Sequence, residues 1–178
     1  MTFLLYLVMF FLLLNEFASA KSLIRDSCEK AADKNSNINY DFCVKSLEEN
    51  PQSKTARSLD GLVMSSTKSA LSKTSSMKET VSKILKENKY EKYSEKPLRD
   101  CHELYSDAKN SLTEALRIAK SGDYKTANVD LSAAMGAPPS CEVGFKEGKK
   151  PLKSPFTKDN NVLFQMILIP LAFTSMLK

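Results

Sequence analysis

Leu98, Cys101, Tyr105, Ala108, Leu112, Ala115 and Ala119 follow one another at steps of three and four residues without a break. That spacing is the seam of an α-helix buried along one side. A strand would scatter the same residues over both of its faces, because its side chains alternate with a period of two. A helix with one buried stripe needs partner helices, since most helical stability in proteins comes from packing such a stripe.

The rest of the chain offers those partners. From Thr55 to Asn88, Leu59, Val63, Ser66, Ala70, Thr74, Met77, Val81 and Ile84 form a second stripe of apolar and small side chains, with Thr55 expected to cap the helix after Pro51 and Ser53. Pro97 fits the first turn of the seam helix, with Ser94 ahead of it. Gly122 is expected to stop that helix and Asp123 to cap the next, a joint tight enough to make the two neighbours antiparallel. The third stripe runs through Tyr124, Ala127, Leu131, Ala134 and Met135 and is expected to end at Pro138-Pro139, before Cys141. A loop rich in Lys, Gly and Pro, 144–159, carries the basic cluster Lys146, Lys149, Lys150 and Lys153, read as a solvated face. Thr157 is placed to cap a last apolar helix, Val162 to Leu177, which Pro170 should bend. That helix is too short for a comfortable membrane span, and Gln165 and Pro170 interrupt it. A removed lipid-anchor signal is the competing reading of this tail; a buried fourth bundle helix fits the three stripes better.

Ahead of the bundle, Ser22 to Asp33 and Tyr40 to Asn50 read as two short helices with one cysteine each. No stretch has the alternation of a strand, and the chain has only five glycines. The expected fold is therefore all-α: an antiparallel up-down-up-down four-helix bundle with an N-terminal helical hairpin stapled by a disulfide.

The first twenty residues are read as a leader. The apolar run Phe3 to Leu14 is followed by Ala18-Ser19-Ala20, the small-residue pattern of a signal-peptidase site. Residues 21–178 then form one domain, with 21–52 as the hairpin and 53–178 as the bundle. All four cysteines follow the leader, which suits two disulfides in an oxidising compartment. Four cysteines allow three pairings, of which the local one joins Cys28 to Cys43 and Cys101 to Cys141. The formal net charge of +5 rises by one when Glu16 leaves with the leader. No basic stripe interleaved with aromatics accompanies that mild charge, so a nucleic-acid partner is not expected.

Catalytic chemistry has no foothold in these residue patterns. The single histidine, His102, precludes a two-histidine metal site, and no C-x-x-C pair suggests zinc. Nucleophile-elbow, zincin and phosphate-loop motifs are lacking, and Glu79, Glu87, Asp107 and Glu114 fall on polar helix faces. No enzyme activity, metal or cofactor is expected.

The cysteine-bearing segments carry a likeness that covers nearly all of the chain after the leader. They are NYDFCVKSLEENPQS from Asn39, DCHELYSDAKNSLTEAL from Asp100, ANVDLSAAMGAPPSCEVGF from Ala127 and SPFTKDNNVLFQMILIPLAFTSML from Ser154. These resemble the signatures of the plant invertase inhibitor and pectin methylesterase inhibitor family, and NYDFCVKSL is especially like its pollen-allergen branch of invertase inhibitors. The resemblance implies a four-helix bundle with a hairpin extension, bridged first to second and third to fourth cysteine. It also implies a secreted apoplastic protein that blocks the substrate cleft of an invertase (β-fructofuranosidase) or a pectin methylesterase. Well-studied invertase inhibitors of the family carry a Pro-Lys-Phe motif where this chain has Tyr124-Lys125-Thr126, which keeps the lysine. Many pectin methylesterase inhibitors have a Trp shortly before the Ser-Ala-Ala, where this chain has Asp130-Leu131. On overall likeness the expected function is reversible, one-to-one inhibition of an invertase, with Tyr124, Lys125 and Thr126 in the contact zone. Pectin methylesterase is the alternative target, and a non-inhibitory helical binding protein the further alternative.

Overall fold

The computed structural model describes residue 6 and residues 20–88, 90, 94–147 and 151–177. The rest of the leader's apolar run, Ala18, Ser19, Lys149 and Lys150 lie outside them. Every regular element among the described residues is a helix. Helix α1 covers 20–34; it is followed by α2 (Tyr40–Glu49), α3 (Pro51–Lys54), α4 (Leu59–Glu87), α5 (Glu95–Lys120), α6 (Tyr124–Met135), α7 (Ala137–Lys146) and α8 (Thr157–Met176).

All seven residues of the Leu98–Ala119 seam are buried in α5. On one side α5 packs against α4, on the other against α6 and α7, and α8 closes the ring against α4, α6 and α7. Polar ties fix the directions. Lys73 of α4 pairs with Asp159 at the start of α8, and Lys78 of α4 donates to the Ser106 hydroxyl of α5 at 2.9 Å. Asn128 of α6 reaches Ser175 near the end of α8, whereas Glu142 of α7 meets Thr157 at its start. Successive bundle members are thus antiparallel. Two buried clusters fill the interior, one around Tyr105, Leu112, Leu163 and Ile167 and one around Leu62, Leu168, Ile169 and Phe173 near the hairpin. Each large side chain fully removed from water in such a core contributes about 1.5–3 kcal/mol.

The disulfides join Cys28 to Cys43 and Cys101 to Cys141. The first crosses from α1 to α2, and the second ties α5 to α7. Chain-entropy reasoning gives bridges of these separations, 15 and 40 residues, a stabilisation of roughly 3 and 4 kcal/mol.

Three boundaries depart from the sequence expectations. Thr55 does not cap α4: it ends α3, and α4 starts at Leu59 after an extended Ser58. Asn50 is the cause, because its side chain accepts from the amides of Gln52 and Ser53 while Pro51 supplies a preset first turn. The same Asn50 donates to the Ser69 hydroxyl at 2.6 Å, and Ser53 donates to Ser65 at 2.9 Å, so α3 is pinned on α4. The third helix does not reach Pro138-Pro139, because α6 ends at Met135. The two prolines occupy the first turn of α7, where missing amides cost nothing, and the helix continues to Lys146. Thr157 is the first residue of α8 rather than its cap; the Phe156 amide donates instead to the Ser154 hydroxyl at 3.1 Å. Pro170 lies buried inside α8, whose eight buried residues make it the fourth bundle member.

Candidate target-binding site

Tyr124, Lys125 and Thr126 form the first turn of α6, and the preceding four residues determine how they are displayed. The Ser121 and Gly122 amides close the end of α5 on Ile118 and Ala119, both at 3.0 Å. Gly122 has φ +86°, a left-handed conformation that glycine adopts without Cβ strain. Asp123 then accepts from the Thr126 amide at 3.0 Å. Hydrogen bonds from the Thr126 side chain and amide, with Lys125 nearby, hold its carboxyl below the ordinary carboxylate range despite some desolvation. The carboxylate is therefore charged at the positive end of the helix, where it is favoured.

The turn separates the three residues. Tyr124 is half-buried and packs on the cluster that contains Ala119 and Ala127. Burial raises its phenol pKa, helped by the negative charge of Asp60 on α4. Lys125 and Thr126 are exposed. Lys125 forms no ion pair among the described residues, so its ammonium is available to an outside carboxylate. One turn further on, Val129 is 66% exposed, an unusual position for a valine in the middle of a helix. Lys125, Val129 and Ser132 occur at steps of four and three and so lie along one outward face of α6.

A buried polar network, unforeseen from the sequence, holds the far half of this side of the bundle. The Tyr105 hydroxyl donates to Asn160 Oδ1 at 2.6 Å and lies 3.1 Å from Cys141 Sγ. Asn160 Nδ2 donates to one oxygen of Glu142 at 2.6 Å, and Thr157 donates to the other at 2.7 Å. Burial pushes the Glu142 carboxyl up, but hydrogen bonds from Ser154, Asn160 and Thr157 and the charge of Lys146 bring it below its ordinary value. Burial likewise raises the Tyr105 phenol well above its ordinary range. The tyrosine was legible only as a seam residue. Asn160 and Glu142 left no periodic signal, because each acts across helices.

Gln165, which reads in the sequence as a blemish in an apolar helix, accepts from the Asn39 amide at 3.1 Å and donates to the Asn37 carbonyl at 2.7 Å. It thereby clamps the hairpin turn on α8. Among the described residues no group of three or more His, Cys, Asp or Glu side chains could hold a metal ion. No helix among them is long and apolar enough to cross a membrane.

Comparison with known proteins agrees with this architecture. Residues 22–173 match the family described as plant invertase/pectin methylesterase inhibitor. Pectinesterase inhibitor 12 of Arabidopsis thaliana is 50% identical over 177 residues, covering 99% of this chain and all of that one. The "Putative invertase inhibitor" of Platanus acerifolia is 43% identical over 93% of this chain and 91% of its own length. A crystal structure of a mutant form of an Arabidopsis pectin methylesterase inhibitor superposes with a TM-score of 0.71 at 22% identity, covering 90% of this chain and 98% of that one. At that identity the superposition speaks to the fold: both chains are helical bundles. The match over 22–173 and the two relatives place this chain in the plant invertase/pectin methylesterase inhibitor family.

Proposed function

We propose that this protein is a secreted inhibitor of a pectin methylesterase, acting as a preformed bundle that covers the enzyme's substrate cleft. The observation that carries the choice of target is the 50% identity with a pectinesterase inhibitor across the whole of both chains. It favours methylesterase over invertase, which overall likeness to the family had put first. Invertase remains the second reading, because Lys125 keeps the lysine of the invertase-inhibitor motif and the Platanus relative is 43% identical.

Secretion is supported by the leader pattern of residues 1–20 and by two disulfides, which persist in oxidising compartments. Reversible one-to-one binding is supported by the bundle itself. Two covalent bridges and interlocked helices leave little to order on association, so more of the contact energy is retained. Lys125 and Thr126 are assigned to the contact zone, with Tyr124 supporting them from beneath. A lysine buried against a cleft carboxylate loses about 2–5 kcal/mol of binding on truncation.

The test is a titration of the secreted protein against a purified pectin methylesterase and an acid invertase, each at its working pH. Stoichiometric, reversible loss of methylesterase activity with invertase unaffected is the expected result. Inhibition of invertase alone would reverse the assignment, and inhibition of neither would remove it. Lys125→Ala should weaken inhibition at least tenfold; unchanged inhibition would move the contact zone elsewhere.

A further inference from the structure

A cleft of about 290 Å³ opens where the hairpin meets the bundle, between the end of α1, the middle of α6 and the end of α8. Its size is at the small end for ligand sites, which span about 300–1,000 Å³. Ala31, Leu168 and Leu171 give it an apolar floor, and Lys34, Asn128 and Ser132 stand around it. Ala31 and Leu168 are buried, Asn128 is half-buried, and Lys34 and Ser132 are exposed. Asn128 is held in place: its amide nitrogen lies within hydrogen-bond distance of the Leu171 carbonyl at 2.9 Å, the Thr174 hydroxyl at 2.8 Å and the Ser175 hydroxyl at 3.0 Å. Its carbonyl oxygen accepts no bond from the described residues, which leaves it for a ligand hydroxyl. Such a pre-fixed amide loses little freedom on binding.

Charge decides the class of ligand. Among the described residues no Asp or Glu lines the cleft. Two helices end at it, α1 at residue 34 and α8 at Met176, and each C-terminus carries roughly half a negative charge on its last carbonyls. Lys34, which has no ion-pair partner among the described residues, offsets both. The site is therefore close to neutral. It offers carbonyl and amide acceptors, an ammonium donor and an apolar floor for a C–H face.

We infer that this cleft binds a single neutral pyranose sugar, through hydroxyls on Asn128, Lys34 and the helix-end carbonyls with its apolar face on Leu168 and Leu171. The cleft begins one turn beyond the first residues of α6, so an occupied site would place the inhibitor's target-facing end on wall carbohydrate. Sugar binding and enzyme inhibition are separate properties, and either can stand without the other.

The experiment is a ¹H–¹⁵N titration of the secreted protein with methyl galactoside, with the methyl ester of galacturonate, and with free galacturonate. Saturable shifts at the Asn128 side-chain amide and the Ser132 amide are expected for both neutral probes. A monosaccharide in so open a cleft should have a Kd on the order of 1 mM. Galacturonate, whose carboxylate would lose hydration in a site with no net positive charge to offset the loss, should bind at least fivefold more weakly. Ser132→Leu, an exposed substitution that fills the mouth, should abolish saturation while the α5 amide shifts stay unchanged; Lys34→Met should weaken it. No saturable shift with either neutral probe, galacturonate binding as tight as theirs, or full binding by Ser132→Leu would each overturn the inference. Inhibition assays on the same samples keep this outcome distinct from that of the proposed function.

Discussion

The Tyr105 hydroxyl and Asn160 Oδ1 meet at 2.6 Å in the centre of the bundle, with tyrosine donating. Tyr105 is 0% and Asn160 1% exposed, so water cannot replace the bond. Tyr105→Phe should therefore cost about 1–3 kcal/mol, the penalty for leaving a buried acceptor unmet. Urea unfolding, read by circular dichroism, measures it as a lower midpoint with an unchanged slope.

Glu142 predicts the acid limb of stability. Its folded-state pKa lies below the ordinary 4.5, so the native state favours the charged form more than the unfolded chain does. The stability it contributes is present above pH 4.5 and is lost as pH falls through the folded value. Glu142→Gln should flatten the loss of Tm below that pH relative to the wild type, in thermal melts taken at half-unit steps. Equal slopes for the two proteins would assign acid sensitivity to other carboxylates.

Gln165→Leu should loosen the hairpin without loosening the bundle. The substitution removes both the acceptor for the Asn39 amide and the donor to the Asn37 carbonyl. At about 1 kcal/mol per bond, exchange of the Asn39 amide should quicken roughly fivefold or more. Amides in the α5 seam should keep their protection in the same native-state hydrogen-exchange experiment.

Leu112 and Val129 differ by burial alone in what they predict. Leu112 is 0% exposed and Val129 66%. Leu112→Ala should cost about 2–5 kcal/mol through lost contacts and a residual cavity. Val129→Ser should change stability by no more than about 0.5 kcal/mol. If the outward face of α6 meets the target, the same variant should nonetheless weaken inhibition.

Non-reducing peptide mapping should recover one bridged fragment that encloses Tyr40 and a second that links the Cys101 and Cys141 peptides. A Cys28–Cys101 linkage would be incompatible with the separation of hairpin and bundle.

Local information in the sequence determined the helices and their buried faces. The seam from Leu98 to Ala119 is buried at every position, and Gly122 and Asp123 end and begin helices as their chemistry requires. Period, cap and turn preferences act within a few residues, so they survive in the sequence as patterns. The structure alone decided what Asn50, Asn128, Glu142, Asn160 and Gln165 do. Gln165 and Asn37 are 128 residues apart, and Tyr105 and Asn160 are 55 apart. Whether such side chains meet depends on the rotation and register of packed helices, which no local spacing records. Pro138-Pro139 shows the same division in one place. Proline disfavours continuation of the previous helix and favours the start of a new one. Only the packing of Cys141 and Phe145 into the core showed that a helix follows there.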